Sequence, residues 1–235
     1  RRLLFYNDAR HYHLYCYEPP ISMKDARAPI DEIAGTSVDT FVYGYGPVVG
    51  DVFGPHVKTI KDIPGLHRAS LPVWRAYENL KSLKERGVDL LRLLVERAHE
   101  RGLRFYTTLG QNSGVSPDEV DNYFNRQFKI DHPEWCLKGP GKYAFNFAYP
   151  EVRAERFAMA EWTVSNYDVD GLELDWGSSP HFFEEDEIEG NTPLLTEYVR
   201  ELRRMIDRAA QKRGRPIALG ARVLPTIEPN LTAGM

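Results

Sequence analysis

The sequence predicts an α/β protein in which strands and helices alternate along the chain. Five short runs of apolar, β-branched and aromatic residues are separated by segments with helical patterning, which is typical of a parallel sheet covered by helices. None of the five runs is followed by a Gly-x-Gly-x-x-Gly turn, so a dinucleotide site has no support. The longest loops follow the carboxyl ends of the strands, where a (β/α)8 barrel builds its active site. We therefore expect a (β/α)8 TIM-barrel type fold, with a doubly wound sheet as the alternative.

The five strands are expected at residues 3–6, 38–45, 103–109, 169–176 and 216–223. Gly44, Gly46 and Pro47 end the second of them, because glycine and proline interrupt regular structure. Five strand–helix units do not close an eight-stranded barrel. The fold class therefore predicts that about three further units, the C-terminal part of the barrel, are missing from this sequence.

Helices are expected between these strands, at residues 23–33, 74–102, 150–164 and 192–213. Gly102 stands where a C-terminal cap belongs. The segment Ser116-Pro-Asp-Glu119 is a capping box with proline at the first helical position, so another helix is expected to begin there. Long loops are expected at residues 48–71, 132–146 and 184–189, and a loop-like tail at residues 224–235.

The composition is that of an ordinary globular chain and indicates one domain over residues 1–235. Hydrophobic residues make up 42% and charged residues 27% of the chain, which is enough apolar material for one sizeable core. The formal net charge is -4, and nothing indicates the basic face of a nucleic-acid binder. No apolar run approaches the roughly 20 residues of a membrane span.

Two cysteines, Cys16 and Cys136, are present without a Cys-x-x-Cys or a histidine cluster at metal spacing. We therefore expect two free, partly buried thiols and no metal site. No cofactor is predicted, and the oligomeric state is open. The compartment is also open: periplasmic or secreted if a signal peptide has been removed, and cytoplasmic otherwise.

The fourth strand carries the strongest functional signal. Alternate side chains of a strand point to opposite faces, so Leu172 and Leu174 are expected to pack against helices while Gly171, Glu173 and Asp175 face the barrel interior. Interior carboxylates are costly unless they are paired or needed. Asp175 stands at the carboxyl end, where barrel enzymes place catalytic side chains, and Glu173 stands one layer deeper. Both are candidate catalytic residues.

The fifth strand follows the same logic. Ala218, Gly220 and Arg222 share one face, and Arg222 reaches the carboxyl end of the strand. Because the two strands are expected to be neighbours, Arg222 should lie close to Asp175 or Glu173 and orient a carboxylate. The alternative is a purely structural pair at the mouth of the barrel.

Other polar and aromatic residues at strand ends are candidates for binding a sugar through hydrogen bonds or ring stacking. They are Asn7, Asp8, Tyr43, Tyr45, Asn112, Asn146, Trp176 and His181. Each of the polar ones is also suited to capping a loop or helix, and a tryptophan in such a position is often packed into the rim. His181 is also considered as an acid, a base or, with Asp175, a metal ligand.

Three motifs occur in an informative order: His132-Pro-Glu-Trp135, Asn146-Phe-Ala-Tyr-Pro-Glu-Val-Arg153 and Tyr167-Asp-Val-Asp-Gly-Leu-Glu-Leu-Asp-Trp176. Together they resemble the family-10-like glycoside hydrolase barrels of bacteria, over roughly residues 85–235. The resemblance implies a (β/α)8 fold, action on O-glycosidic bonds of a poly- or oligosaccharide, and an active-site acidic residue on the fourth strand.

Two further similarities concern the fourth strand alone. Asp170, Glu173 and Asp175 loosely match a chitinase-like pattern, but Gly177 stands in the place of its catalytic glutamate, which argues against substrate-assisted chemistry. In α-galactosidase-like barrels an Asp at the end of the fourth strand is the nucleophile, and Asp175 matches by position. Most glycoside hydrolysis needs two carboxyl groups, and the partner of Asp175 is expected beyond Met235. The rival hypotheses are a non-catalytic carbohydrate-binding barrel and a metal-dependent barrel enzyme.

Overall fold

The computed structural model describes residues 3–44, 71–119 and 125–225 of the chain. Within them lies one five-stranded sheet made of β1 (Leu4–Asp8), β2 (Thr40–Gly44), β3 (Arg104–Gly110), β4 (Gly171–Asp175) and β5 (Ala218–Arg222). The strands lie side by side in chain order, β1-β2-β3-β4-β5, and every neighbouring pair is parallel. A doubly wound sheet would reverse its strand order at a switch point. The described strands do not, which confirms the barrel type, with five strands and the helices that follow the first four of them.

Six helices cover the sheet in the described part of the chain: α1 (Met23–Asp31), α2 (Leu71–Glu85), α3 (Leu90–Glu100), α4 (Gln127–Asp131), α5 (Pro150–Asn166) and α6 (Ile188–Arg213). Short helical turns occur at Arg10–Leu14, Pro133–Trp135 and Glu185–Glu187. Their ends follow the sequence chemistry. Ser22 caps α1 by accepting from Asp25 N, and Pro150 occupies the first turn of α5. Gly214, with φ 70°, ends α6 in the left-handed conformation that glycine adopts at little cost.

The predicted helix over residues 74–102 is wrong in one respect, since two helices occupy this stretch. α2 ends at Glu85, Gly87 adopts a φ of 71°, and Asp89 then caps α3 by accepting from Arg92 N. The left-handed glycine and the new cap together turn the chain and begin a second helix.

The helix predicted at Ser116 does not form over residues 116–119. Only one of the two contacts of a capping box forms, with Ser116 N donating to Glu119 Oε1, while Glu119 N donates to the backbone oxygen of Ser116. These two hydrogen bonds close a turn, and residues 120–124 lie outside the described part. The last helix also begins earlier than expected, at Ile188 and not near Thr192. Residues 45–70, which include most of the long loop predicted at residues 48–71, lie outside the described residues, as do residues 226–235 of the tail.

The core lies between the helices and the outer face of the sheet. Leu172 and Leu174 of β4 are buried there together with residues of α3, α5 and α6, as the alternation of the strand predicts. Cys136 is a buried free thiol, whereas Cys16 is free and exposed, so the predicted burial of Cys16 is wrong. No helix among the described residues is long and apolar enough to cross a membrane.

Candidate active site

A cavity of about 420 Å³ opens at the carboxyl ends of the strands. Side chains from four strands line it: Tyr6 and Asp8 of β1, Thr108 of β3, Asp175 of β4 and Arg222 of β5. The register explains their convergence, because Gly110, Asp175 and Arg222 are paired at the ends of neighbouring strands. The remaining walls come from the loop after β3, from α4 and α5, and from the loop after β4.

Asp175 is buried, with 6% of its surface exposed, and its carboxylate is fixed by the loop that follows it. Gly177 N and Ser178 N donate to Oδ1 at 3.0 and 3.1 Å. The Ser178 hydroxyl donates to Oδ2, and Arg222 Nη1 lies 4.0 Å from the same oxygen. Three hydrogen bonds are thus donated to Asp175, and a cation lies near it, which suits a carboxylate that acts as nucleophile or base.

Arg222 connects three strands across the interior of the sheet. Its Nη2 donates to Glu173 Oε2 at 2.9 Å, and its Cζ lies 3.8 Å from the centre of the Tyr6 ring. Glu173 Oε2 also accepts from Thr108 Oγ1 at 2.7 Å. Glu173 is not among the residues that line the cavity. Its contacts therefore hold Arg222 in place, one layer below Asp175.

Two carboxylates act on Tyr6. Burial raises the pKa of Tyr6 and contact with Arg222 lowers it, while the charges of Asp8 and Asp175 raise it further. Both carboxylates therefore contribute to the electrostatic environment of Tyr6. The distance from Asp8 Oδ2 to His11 Nδ1 is 2.8 Å. His11 is exposed and belongs to the short turn of π-helix after β1.

A second wall of the cavity carries cations around the ring of Phe145. Lys129 Nζ lies 4.8 Å from the ring centre and Arg156 Cζ lies 5.3 Å from it. Burial, mainly, lowers the pKa of Lys129 to about 8. Burial and the neighbouring charge of Arg156 lower the pKa of Arg126 to about 9.

The structure brings some of the predicted binding residues to the cavity and places others elsewhere. Asp8, Asn112 and Arg222 line it. Asn112 is occupied in holding two loops together, since its Nδ2 donates to Phe145 O and His181 O and its Oδ1 accepts from Phe145 N. Tyr45 lies outside the described residues.

Five predicted binding residues are not among those that line the cavity: Asn7, Tyr43, Asn146, Trp176 and His181. Tyr43 is fully buried, with its hydroxyl 3.0 Å from His13 Nδ1. Trp176 is buried against Phe147, Phe182 and Tyr198. Asn146 Oδ1 accepts from Ala148 N, as a loop cap does.

Asn7 and Tyr43 point away from the interior because of strand alternation. In the register of the sheet, Asn7 pairs with Tyr43, whereas Tyr6 pairs with Val42 and Val42 with Tyr106. Tyr106 in turn pairs with Gly171 of the interior face of β4. Tyr6 and Asp8 therefore share the interior face with Asp175, and Asn7 and Tyr43 share the outer one.

Sequence analysis missed several lining residues. Tyr6 was within reach of the alternation argument once the register of β1 was known. Arg126, Lys129 and Arg156 lie on or beside helices that are far apart in sequence, and no local pattern announces that these helices meet at one cavity.

No protein-family profile matches the chain, and no curated protein matches it. Similar solved structures are known. The galactosidase domain of an α-galactosidase–sucrose kinase superposes with a TM-score of 0.51 at 17% identity, covering 94% of this chain and 26% of that one. An α-amylase from Lactobacillus plantarum gives 0.51 at 14% identity, covering 94% and 44%. An α-L-fucosidase isoenzyme 2 from Paenibacillus thiaminolyticus gives 0.50 at 13% identity, covering 95% and 32%.

The chain thus spans between about a quarter and somewhat under half of the length of these three proteins. At such identities the likeness shows the fold alone. The fold is of the (β/α)8 type, as in these three proteins, and the described residues of this chain contain five of its strands and the helices that follow the first four.

Proposed function

We propose that the protein is a glycoside hydrolase that cleaves O-glycosidic bonds of a poly- or oligosaccharide, with Asp175 as a catalytic carboxylate. The observation that carries the proposal is the position of Asp175. It stands at the carboxyl end of β4, in a cavity at the end of the sheet where barrel enzymes bind substrate. The fold it shares with glycoside hydrolases supports the assignment, and the family-10-like resemblance of its motifs is the finer form of the proposal.

The contacts favour a division of roles. Asp175 accepts hydrogen bonds from Gly177 N, Ser178 N and the Ser178 hydroxyl, so we assign it the role of nucleophile or base. Arg222 is the positioning cation, and Glu173 and Thr108 hold Arg222. We keep Glu173 as a positioning residue, because it touches Arg222 and does not line the cavity.

Glycoside hydrolysis also needs a group that protonates the leaving oxygen. The sequence led us to expect it beyond Met235. Asp8 supplies a carboxylate within the described residues, since it stands at the carboxyl end of β1 and lines the same cavity as Asp175. We therefore propose Asp8 as the acid. Its Oδ2 lies 2.8 Å from His11 Nδ1, which holds the carboxylate in place.

The proposal is tested by incubating the purified protein and its Asp175→Asn variant with a panel of poly- and oligosaccharides and measuring new reducing ends. The wild-type protein should release product, and the variant should be slower by about 10³-fold, because an amide neither attacks nor accepts a proton. Asp168→Asn is the matched control, since Asp168 precedes β4 at the opposite end of the strand.

Comparable turnover by Asp175→Asn and wild-type protein, with both folded, would contradict the assignment. Binding of a glycan by the wild-type protein without any product would instead favour a carbohydrate-binding barrel.

A further inference from the structure

The two walls of the cavity carry opposite charge. On the strand side, Asp8 and Asp175 line the cavity together with one cation, Arg222. On the helix side, Arg126, Lys129 and Arg156 line it. Lys129 and Arg156 lie against the Phe145 ring, and Arg156 is paired with Glu155. We call these three cations and Phe145 the cationic wall. A neutral sugar needs hydrogen-bonding groups but no such excess of positive charge.

Holding these cations together is unfavourable for the protein by itself. Burial disfavours the charged forms of Arg126 and Lys129, and the neighbouring charge of Arg156 lowers the pKa of both. Buried charges are normally paired. Charges kept in this way at a cavity wall are a common property of binding sites, where an ionic ligand completes the pairing.

The cationic side chains of the wall differ in how many of their protons are already used in hydrogen bonds within the protein. Lys129 Nζ donates to three backbone carbonyls, those of Ser113, Val115 and Tyr143, which uses all three of its protons. Lys129 therefore contributes charge and fixes the loop after β3. It has no further proton to offer a ligand.

Arg156 is different. Its side chain is only 2% exposed and lines the cavity. Nε donates to Glu155 and Nη1 to Gly110 O. Nη2 has no hydrogen-bond partner among the described residues. A buried guanidinium nitrogen left without an acceptor is costly, and the planar fork of arginine matches an oxyanion in geometry as well as charge.

We infer that the cationic wall is a subsite for a negatively charged substituent of the sugar, a carboxylate or a sulfate, with Arg156 as its hydrogen-bonding residue and Arg126 and Lys129 as supporting charges. The preferred substrate is then an acidic glycan. The sugar ring lies between this subsite and the carboxylates on the strand side of the cavity. The inference rests on the proposed function, because it names the substrate class of the same cavity.

The inference is tested by binding, so that no bond needs to be cleaved. Glucuronate, glucose 6-sulfate and glucose are titrated into the Asp175→Asn variant, and the affinities are measured from NMR chemical-shift changes. At least one acidic sugar should bind about tenfold tighter than glucose or better, which is the effect of one charge-assisted hydrogen bond. The two acidic probes distinguish a carboxylate subsite from a sulfate subsite.

Variants locate the effect. Glu155→Gln/Arg156→Gln removes both members of the buried pair together, so neither is left as an unpaired charge, and it should abolish the preference for acidic sugars. Arg126→Gln should reduce the preference in part. Arg204→Gln, on the exposed face of α6, removes the same charge far from the cavity and should leave the preference unchanged. Thermal melts establish that each variant is folded.

Equal affinity for all three sugars would overturn the inference, as would an acidic preference that survives in the folded double variant. Neither result depends on catalysis. Absence of hydrolysis by the wild-type protein, together with tight binding of an acidic sugar, would overturn the proposed reaction and leave the anionic subsite standing.

Discussion

The two ends of β4 both carry acidic residues, and they use them differently. At the amino end, Asp170 is fully engaged: its carboxylate accepts from Phe105 N, contacts His99 Nε2 at 2.9 Å and pairs with Arg215. At the carboxyl end, Asp175 is held by its own loop and faces a cavity. Pairing that ties one element to another indicates stability, whereas a carboxylate oriented toward a cavity indicates chemistry. The sequence predicts the difference in position of the two residues, whereas the partners of Asp170 follow only from the structure.

After Asp175, the largest effect should come from Asp8, the second carboxylate at the carboxyl end of the sheet. We expect Asp8→Asn to slow cleavage of a natural glycoside by about 10²-fold, since the leaving oxygen then departs without a proton. With an aryl glycoside whose leaving group needs little protonation, the variant should be nearly as fast as wild type. Steady-state rates on both substrates measure the difference, and an equal loss on both would remove Asp8 from the role of acid.

A substitution at the amino end of β4 should reduce stability and leave activity nearly unchanged. We expect Asp170→Ala to lower the free energy of unfolding by about 2–3 kcal/mol, because the partners Arg215, His99 and Phe105 N lose a charged acceptor. Activity per folded molecule should stay close to that of wild type. Asp168→Ala is the control, since the Asp168 side chain is 61% exposed against 17% for Asp170, and it should cost less than about 1 kcal/mol.

Urea unfolding and turnover of the two variants check this prediction. A loss of turnover in folded Asp170→Ala would show that the ends of β4 are not separate in function.

Arg222 should have a smaller effect than either carboxylate at its end of the sheet. We expect Arg222→Met to lower turnover about tenfold, because Asp175 and Glu173 lose the cation between them while remaining in place. Arg222→Lys should recover only part of the loss, since an ammonium does not reproduce the planar contact with Tyr6. Kinetics of both variants, with melting temperatures as a control, separate lost orientation from lost folding; full activity of Arg222→Met would contradict the role.

The smallest effect concerns pH and the cationic wall. The pKa of Lys129 is lowered to about 8 and that of Arg126 to about 9, so both lose positive charge as the pH rises from 7 to 9.5. Affinity for an acidic sugar should fall about two- to fivefold over this range, the loss expected from screened charges at short distance. Affinity for glucose should not change. The folded Asp170→Ala variant should show the same dependence of affinity on pH. A different dependence would show that the amino end of β4 influences ligand binding at the carboxyl end.

Much of the sheet could be predicted from the sequence because strand alternation and parallel order are local rules with few solutions. The same rule placed Glu173 beside Arg222 and Leu172 in the core. It did not predict that Asp8 lies on the interior face and Asn7 on the outer one. The face of β1 that points to the interior depends on the register of β1 with β2 and β3. That register is a property of tertiary pairing.

The cationic wall was beyond reach of the sequence for a related reason. Arg126 precedes a helix of five residues and Arg156 lies in the middle of α5. A lone arginine at such a position is ordinarily a solvated surface residue. Only the packing of the two helices against Phe145 turns them into neighbours.

Two positions on the interior face of the sheet, Gly44 and Gly171, are glycines with a tyrosine ring packed against them. A Cβ atom placed on Gly171 would lie 2.7 Å from the ring of Tyr106, and one placed on Gly44 would collide with Tyr6. Each tyrosine lies across the glycine of the next strand, so a single methyl group at either position would displace an aromatic ring. Tyr6 and Gly44 both line the cavity, so a substitution at Gly44 would change the space available to a ligand without altering Asp8 or Asp175.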